Sequence, residues 1–484
     1  MDWIAVLQLI YFVFMLFVLL RVLYDTRSGS KTLAYVLFIV FFPIVGILFY
    51  FSFGVNYRKR KMYSKKIIAD ENIRHQIQQG VGNYTNSVLN SNFFDNKYRN
   101  LAQFIGNSND SPLTANNTVK LLINGEQKFP IVLQALAQAK YHIHLEYYIY
   151  ENDITGNSII ELLIEKAKQG LEVRFLYDDF GSHRIDKALL KIMADAGVKT
   201  APFYKIRWYS FASQLNYRNH RKIIVIDGDT SFVGGINISD KYRNDLEPKN
   251  KLFWRDSHLM LKGNASFYLQ YLFMCDWNFC SKEKLNFGAD YFPQNPTDQI
   301  IEGEIVQIAS SGPDSKLPVI FYSLMEAIGT AKNSICITSP YFIPGESLMD
   351  ALIIAATSGV SVKILVPGIS DSKMANAAAH SYYTELLQQG VRIFKYQKGF
   401  IHAKTMTVDD GLAIVGSANM DYRSFDLNFE VNAVLYREKI NGQMREAFDN
   451  DLLEAVEIKA DEWLKRPKYV QLWEKFVRLL SPFL

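Results

Sequence analysis

Two histidine–lysine pairs, His220 with Lys222 and His402 with Lys404, are the residues of this 484-residue chain whose types and spacing could do chemistry. Each pair opens the pattern H-x-K-x-x-x-x-D, completed by Asp227 and Asp409, and each is followed by a G-[GS]-x-N tail ending in Asn237 and Asn419. Asn237 follows His220 by 17 residues, and Asn419 follows His402 by the same 17. An imidazole can attack or carry a proton, while an ammonium and a carboxamide can hold an oxyanion. A lone H-x-K is ordinarily solvated surface. Two copies with matching tails, in a chain holding only 8 histidines, are hard to assign to chance.

The elements that must position these groups are legible around them. Residues 223–226 are apolar and β-branched, Asp227-Gly228 is a turn pair, and a return strand follows around Phe232-Val233. The second copy repeats this through Asp409-Asp410-Gly411 and Leu412-Ala413-Ile414-Val415. Residues two apart on a strand share a face, so histidine and lysine point the same way in each hairpin. The asparagine at the end of the return strand comes back near the level of the histidine. Each half then places a carboxylate after its asparagine, Asp256 in Phe253-Trp254-Arg255-Asp256 and Glu430 in Leu427-Asn428-Phe429-Glu430. Either acid taken alone could equally be solvated.

The repeat is longer than the motif. Strand-like runs at 142–149 and 173–177 alternate with helices ending at Gly170 and Gly197; 334–338 and 362–366 alternate with helices ending at Gly359 and Gly390. Such alternation, with glycine at helix ends, predicts βαβ units and mixed sheets covered by helices, in two similar α/β halves whose pseudo-twofold pairing would bring the hairpins together. We place the first half at 119–285 and the second at 286–484, with an amphipathic C-terminal segment from 455 that is expected to dock on the second half rather than on a membrane.

The first 57 residues read as a transmembrane helical hairpin. Residues 3–20 and 33–53 contain no charged residue, and each is about long enough to cross a bilayer; Pro43 and Gly46 are tolerated in membrane helices. Arg21, Arg27 and Lys31 lie between the spans, and Arg58, Lys59, Arg60, Lys61, Lys65 and Lys66 follow them. The richer side should be cytoplasmic, so the expectation is a multi-pass cell-membrane protein with both termini and the body on the cytoplasmic side. The same basic cluster would attract anionic lipid headgroups. Residues 58–118 are expected to be a basic juxtamembrane segment and an Asn-rich linker, whose N-x-[ST] matches at Asn83, Asn109 and Asn116 need no explanation beyond composition. The net charge of +4 gives no broad basic surface for nucleic acid, and three cysteines form no disulfide framework.

Twin H-x-K-x-x-x-x-D motifs with these tails resemble the phospholipase D superfamily. The membrane hairpin, Leu145-Glu146-Tyr147-Tyr148, Asn219-His220-Arg221-Lys222, Trp254-Arg255-Asp256, Ser339-Pro340-Tyr341-Phe342-Ile343-Pro344, and Ala418-Asn419-Met420-Asp421 with Arg423-Ser424-Phe425 resemble bacterial cardiolipin synthases along nearly the whole chain. The resemblance implies that two phosphatidylglycerol molecules become cardiolipin and glycerol without a metal or cofactor, the partners being phosphatidylglycerol, other anionic phospholipids and the membrane, with no nucleic acid. The candidate catalytic residues are His220, Lys222, Asp227, His402, Lys404 and Asp409, supported by Asn237, Asn419, Asp256 and Glu430. Within them Asp227 and Asp409 are expected to be structural. By family analogy His220 is the nucleophile and His402 the proton carrier, with their pKa values pushed apart, although the motif is symmetric enough for the roles to be exchanged. Hydrolysis of a phosphodiester on the same fold, or a membrane-tethered scaffold with a dead site, are the competing readings.

Overall fold

The computed structural model describes residues 3–26, 29–51, 84–203, 217–246, 252–288, 290–292 and 303–481. Arg27, the basic stretch 58–66, and the first part of the expected linker with Asn83 lie outside the described residues.

The N-terminal segment forms three helices, α1 (Trp3–Asp25), α2 (Gly29–Phe41) and α3 (Pro43–Phe49). α1 is a continuous apolar helix of 23 residues, about 35 Å long and so sufficient to cross a bilayer. α1 and α2 pack as the expected hairpin through Val18, Val22 and Ile39. The second expected span, 33–53, is not one straight helix. It breaks at Phe42 (φ −133°, ψ 68°), because the residue before a proline is driven out of the α region. α3 then runs back along α2, so that the rings of Phe38 and Phe49, and of Tyr35 and Tyr50, each meet at 5.4 Å. Gly46 permits the contact, since a Cβ there would lie 2.7 Å from the Ile39 Cα. Tyr50 finishes level with the end of α1, its hydroxyl donating to the Arg21 carbonyl at 3.4 Å and the Asp25 carboxylate at 3.3 Å.

In the body, the first half contributes β1 (Thr114–Ile123), β2 (His142–Tyr147), β3 (Glu172–Asp178), β4 (Lys199–Phe203), β5 (Lys222–Ile226), β6 (Thr230–Gly234), β7 (Phe253–Arg255) and β8 (Ser257–Lys262). The second contributes β9 (Glu304–Ser311), β10 (Ser334–Thr338), β11 (Ser361–Pro367), β12 (Arg392–Tyr396), β13 (Gly399–Ile401), β14 (Thr405–Val408), β15 (Leu412–Gly416), β16 (Glu430–Leu435) and β17 (Ala455–Glu457). Instead of two separate sheets, 15 of these strands form one, in the order β17-β12-β11-β10-β14-β15-β16-β9-β1-β8-β6-β5-β2-β3-β4. Read outward from the β9–β1 seam, the two sides repeat the same order, which is the pseudo-twofold the internal repeat predicts. β2, β3 and β4 are parallel to one another, as are β10, β11 and β12, while the motif strands β5 and β14 join their neighbours antiparallel. A shared core crosses the seam, with Ile223, Val233 and Leu259 packed with Val306, Val415 and Val431.

Residues 84–113, expected to be linker, are folded. Tyr84, Val88, Leu101, Ala102 and Ile105 are buried against Ile320, Ile335 and Val408 of the second half. Apart from Phe104 and Gly106, polar residues occupy the rest of the Arg99–Asn109 helix, which is why composition alone suggests a loop. The C-terminal helix Lys468–Arg478 docks on the second half as expected, along the Lys373–Gln388 helix. Cys275, Cys280 and Cys336 form no disulfide among the described residues.

Candidate active site

The two motif hairpins meet across the seam. β5 pairs with β6, and β14 with β15, through tight turns in which Asp227 (φ 52°) and Asp409 (φ 46°) adopt the left-handed conformation that aspartate tolerates. The Asp227 carboxylate accepts hydrogen bonds from the backbone N–H groups of Lys140, Tyr141 and His142. Asp409 accepts from Lys332, Asn333 and Ser334, and pairs with Lys97 at 2.6 Å. Each aspartate thus clamps the start of the neighbouring strand at the far end of the hairpin from its histidine.

At the other end, each half holds the other half's histidine. The His220 backbone N–H donates to the Phe429 carbonyl at 2.9 Å, and His402 N–H donates to the Arg255 carbonyl at 2.7 Å. The side chains cross in the same way. His220 Nδ1 is 2.9 Å from Glu430, and His402 Nδ1 is 2.7 Å from Asp256. Both imidazoles are buried, and both carboxylates are fully so. A carboxylate on Nδ1 fixes the tautomer and ring orientation and leaves Nε2 for chemistry. Ser417 and Asn428 also donate to Glu430, and the Ser257 N–H donates to Asp256.

The lysines complete a compact charge cluster. Lys404 Nζ lies 2.9 and 3.1 Å from the two ring nitrogens of His402. Lys222 Nζ bonds the His220 carbonyl and sits 5.4 Å from the centre of the Tyr148 ring. Burial lowers Lys222 to about 7, with Lys404 adding to it, and Lys404 to about 8, in both cases against the upward pull of Glu430 and Asp256. Burial first, and the two lysines next, push His220 to about 4 and His402 to about 3 despite their carboxylates. Burial alone would raise Glu430, but His220, Lys222 and Ser417 outweigh it and hold it at about 2. The histidines are therefore not split into one neutral and one charged group: burial drives both neutral, and the same two lysines add to it. An anionic phosphodiester among them would favour the protonated form of all four groups.

The supporting asparagines are held in place. Asn237 accepts from the Ile149 N–H and donates to the Tyr242 hydroxyl at 2.8 Å, and that hydroxyl lies 3.5 Å from His402 Nδ1; Asn419 donates to Asp421 at 3.1 Å while its buried Oδ1 has no partner among the described residues. Sequence reasoning missed the aromatic lining. Tyr148 meets the His220 ring edge-on at 4.8 Å, whereas Trp254, Phe400 and Tyr242 surround His402 at 5.5 to 5.8 Å. Tyr148 and Trp254 stand in stretches that carry the family resemblance; nothing in the sequence marks Tyr242. All ten expected site residues are placed in the two hairpins or against them, with only Asp227 and Asp409 removed from the histidine pair.

Comparison with known proteins agrees with this geometry. A family described as the phospholipase-D-like domain of cardiolipin synthase matches residues 132–267 and 324–452, and one described as phospholipase D-nuclease N-terminal matches residues 10–54. The chain is 40% identical to cardiolipin synthase 2 of Bacillus cereus over 95% of its own length and 88% of that protein. It is 38% identical to the major cardiolipin synthase ClsA of Bacillus subtilis over 99% of its own length and 98% of that protein. Among solved structures, the phosphatidylserine synthase of Haemophilus influenzae superposes with a TM-score of 0.58 at 16% identity, over 80% of this chain and all of that one, a likeness of fold.

Proposed function

The chain belongs to the cardiolipin synthase family of phospholipase-D-like proteins, and we propose that it converts two phosphatidylglycerol molecules into cardiolipin and glycerol, with His220 carrying the phosphatidyl group between them. The observation that carries this reading is the crosswise pair of Nδ1–carboxylate contacts, which leaves two Nε2 atoms in one cluster with two lysines.

His220 Nε2 attacks phosphorus and forms a P–N bond while the P–O bond to the departing glycerol breaks; His402, protonated on Nε2 as the substrate anion enters, gives that proton to the glycerol oxygen. The hydroxyl of a second phosphatidylglycerol then returns a proton to His402 Nε2 and attacks phosphorus, and the P–N bond breaks. Lys222, Lys404, Asn237 and Asn419 surround the phosphoryl oxygens and stabilise the charge that develops on them. Each lysine bonds the carbonyl of its own histidine, and His220 suits the nucleophile because Lys222 makes no hydrogen bond to its ring among the described residues. His402, with Lys404 against both nitrogens, suits the group whose proton must leave readily.

Purified protein given phosphatidylglycerol in liposomes, with a chelator present, should yield cardiolipin and glycerol by mass spectrometry. Phosphatidic acid as the sole product would make the chain a hydrolase, and no turnover of any phosphodiester would leave the scaffold reading.

The protein is associated with the membrane through its apolar N-terminal helix. We place the body on the cytoplasmic face, as the basic stretch 58–66 requires. The fold-back of α3 supports one crossing by α1 and a re-entrant α2–α3 in place of the second crossing expected from hydropathy. All nine lysines and arginines before residue 67 then fall on the body's side, and the N-terminus lies on the other. A membrane-impermeant thiol reagent on intact cells should label a cysteine placed at Asp2 and spare one placed at Ser28; labelling of Ser28 alone would restore two crossings.

A further inference from the structure

The C-terminal helix Lys468–Arg478 is docked with the wrong face inward for a helix that only covers a core. Its inward side holds Val477 and the carboxylate of Glu474, which is 4% exposed and bonded by Arg466 at 2.6 and 3.0 Å and by His380 at 3.3 Å. Its outward side carries Tyr469, Leu472, Trp473, Phe476 and, in the next turn, Leu479, each between 54 and 76% exposed. Their spacing of i, i+3, i+4, i+7 and i+10 makes one continuous stripe. The stripe is rigid: Arg478 lies over the Tyr382 ring at 4.1 Å and pairs with Glu385, while Arg466 stacks on Trp463.

We propose that this stripe is a membrane-docking surface, seated in the headgroup–acyl boundary of a lipid bilayer. Three features select a bilayer over a protein groove. The stripe mixes Trp, Tyr and Phe with Leu, and exposed Lys468 and Lys475 lie along its margin, the composition of an interfacial helix attracted to anionic lipid. Only residues 52–83 separate the membrane-crossing segment from the first body residue, so a bilayer is always within reach. The helix also shares a packed core with the site's surroundings: Val477 lies in the same cluster as Met420 and Tyr422, which flank Asp421, the residue that holds Asn419. Docking through this face would hold the body down on the surface that contains a lipid substrate.

The test uses the full chain in nanodiscs of phosphatidylglycerol and phosphatidylcholine with brominated acyl chains, comparing wild type with Trp473→Phe. The difference between the two isolates Trp473 fluorescence, and that difference should be strongly quenched by the brominated lipid. A Leu472→Ser/Trp473→Ser/Phe476→Ser variant, altered only at exposed positions, should lose roughly tenfold or more of its turnover on bilayer substrate, and keep its turnover on the same lipid dispersed in detergent micelles. The micelle assay separates failure of docking from failure of the proposed reaction, and the quenching needs no reaction at all. Unquenched Trp473 would overturn the proposal. So would a fall in oligomer mass in the triple variant with bilayer turnover unchanged, which would assign the stripe to a second copy of the chain.

Discussion

The two halves of the site are built to one plan and differ where the chemistry differs. His220 takes a glutamate from the second half, and His402 takes an aspartate from the first. The residue packed beside each carboxylate differs to match: a Cβ on Gly235 would fall 2.2 Å from Asp256 Oδ1, whereas Ser417, at the equivalent place, donates its hydroxyl to Glu430. His402 is enclosed by Trp254, Phe400 and Tyr242 with Lys404 against its ring, and His220 meets only Tyr148 edge-on. A duplicated fold thus supplies two imidazoles buried to the same extent, and a handful of side chains gives them different surroundings, on which the proposed division into nucleophile and proton carrier rests.

The sharpest way to break that contrast is to remove each imidazole. His220→Ala and His402→Ala should each lower cardiolipin formation by about 10⁴-fold or more, but only His402→Ala should retain the capacity to trap a phosphatidyl group on the other histidine, seen as a mass shift on the intact protein. Trapping in His220→Ala instead would exchange the two roles.

Replacing the orienting carboxylates comes next. Glu430→Gln should slow mainly formation of the covalent intermediate, whereas Asp256→Asn, acting on the group that moves a proton in both steps, should slow formation and transfer alike, each by about 10² to 10⁴-fold in single-turnover kinetics. The same pattern in both variants would mean the halves are not specialised.

Acid should unfold the site in a way that depends on both histidines. Their folded values of about 4 and 3 lie below the ordinary 6.5. Between pH 6.5 and those values the unfolded chain binds protons that the folded chain refuses, so their contribution is full above pH 6.5 and is lost as pH falls through the window. Glu430, held at about 2, adds a loss in the same direction below its ordinary 4.5. Melting temperature should drop from pH 6.5 to 4, and less steeply in His220→Gln and His402→Gln; identical slopes would refute neutral burial.

The smallest expected effect is Ser417→Gly, which removes the hydroxyl that donates to the charged Glu430, a bond of about 1.5–3 kcal/mol, and accepts from the Val431 N–H, and should lower turnover modestly in a protein that still folds. The converse change, Gly235→Ser, drives a side chain into Asp256 and should be far more damaging to both thermal stability and turnover.

Much of this was legible in the sequence because the chemistry sits on short, regular hairpins. The H-x-K pair and the turn aspartate declare themselves within nine residues, although His220, His402 and Lys404 stand just before β5 and β14 rather than on them as expected, and the helix-ending glycines declare the duplication. Asp256 and Glu430 were visible as candidates, but their crosswise assignment was not, since partners such as His220 and Glu430 are brought together only by the β9–β1 seam. Tyr242 gave no signal because a lone tyrosine in a loop has no pattern. Residues 84–113 read as linker because Leu101, Ala102 and Ile105 form a narrow apolar stripe amid asparagine and serine. Hydropathy measures how apolar 33–53 is and not its direction; Pro43 marked the break, and only the Gly46–Ile39 contact showed that the chain turns back.

The crosswise carboxylates also set a clock on biosynthesis. The membrane-embedded start of the chain is made first, and His220 soon after, but Glu430 is residue 430 of 484. A polypeptide that stalls or is cut before that point carries an anchored imidazole with no carboxylate on its Nδ1, no second histidine if it stops before 402, and no β16 to close the seam. Copies that stop short of Glu430 therefore lack the completed site, which exists only once β16 has been made and paired with β9.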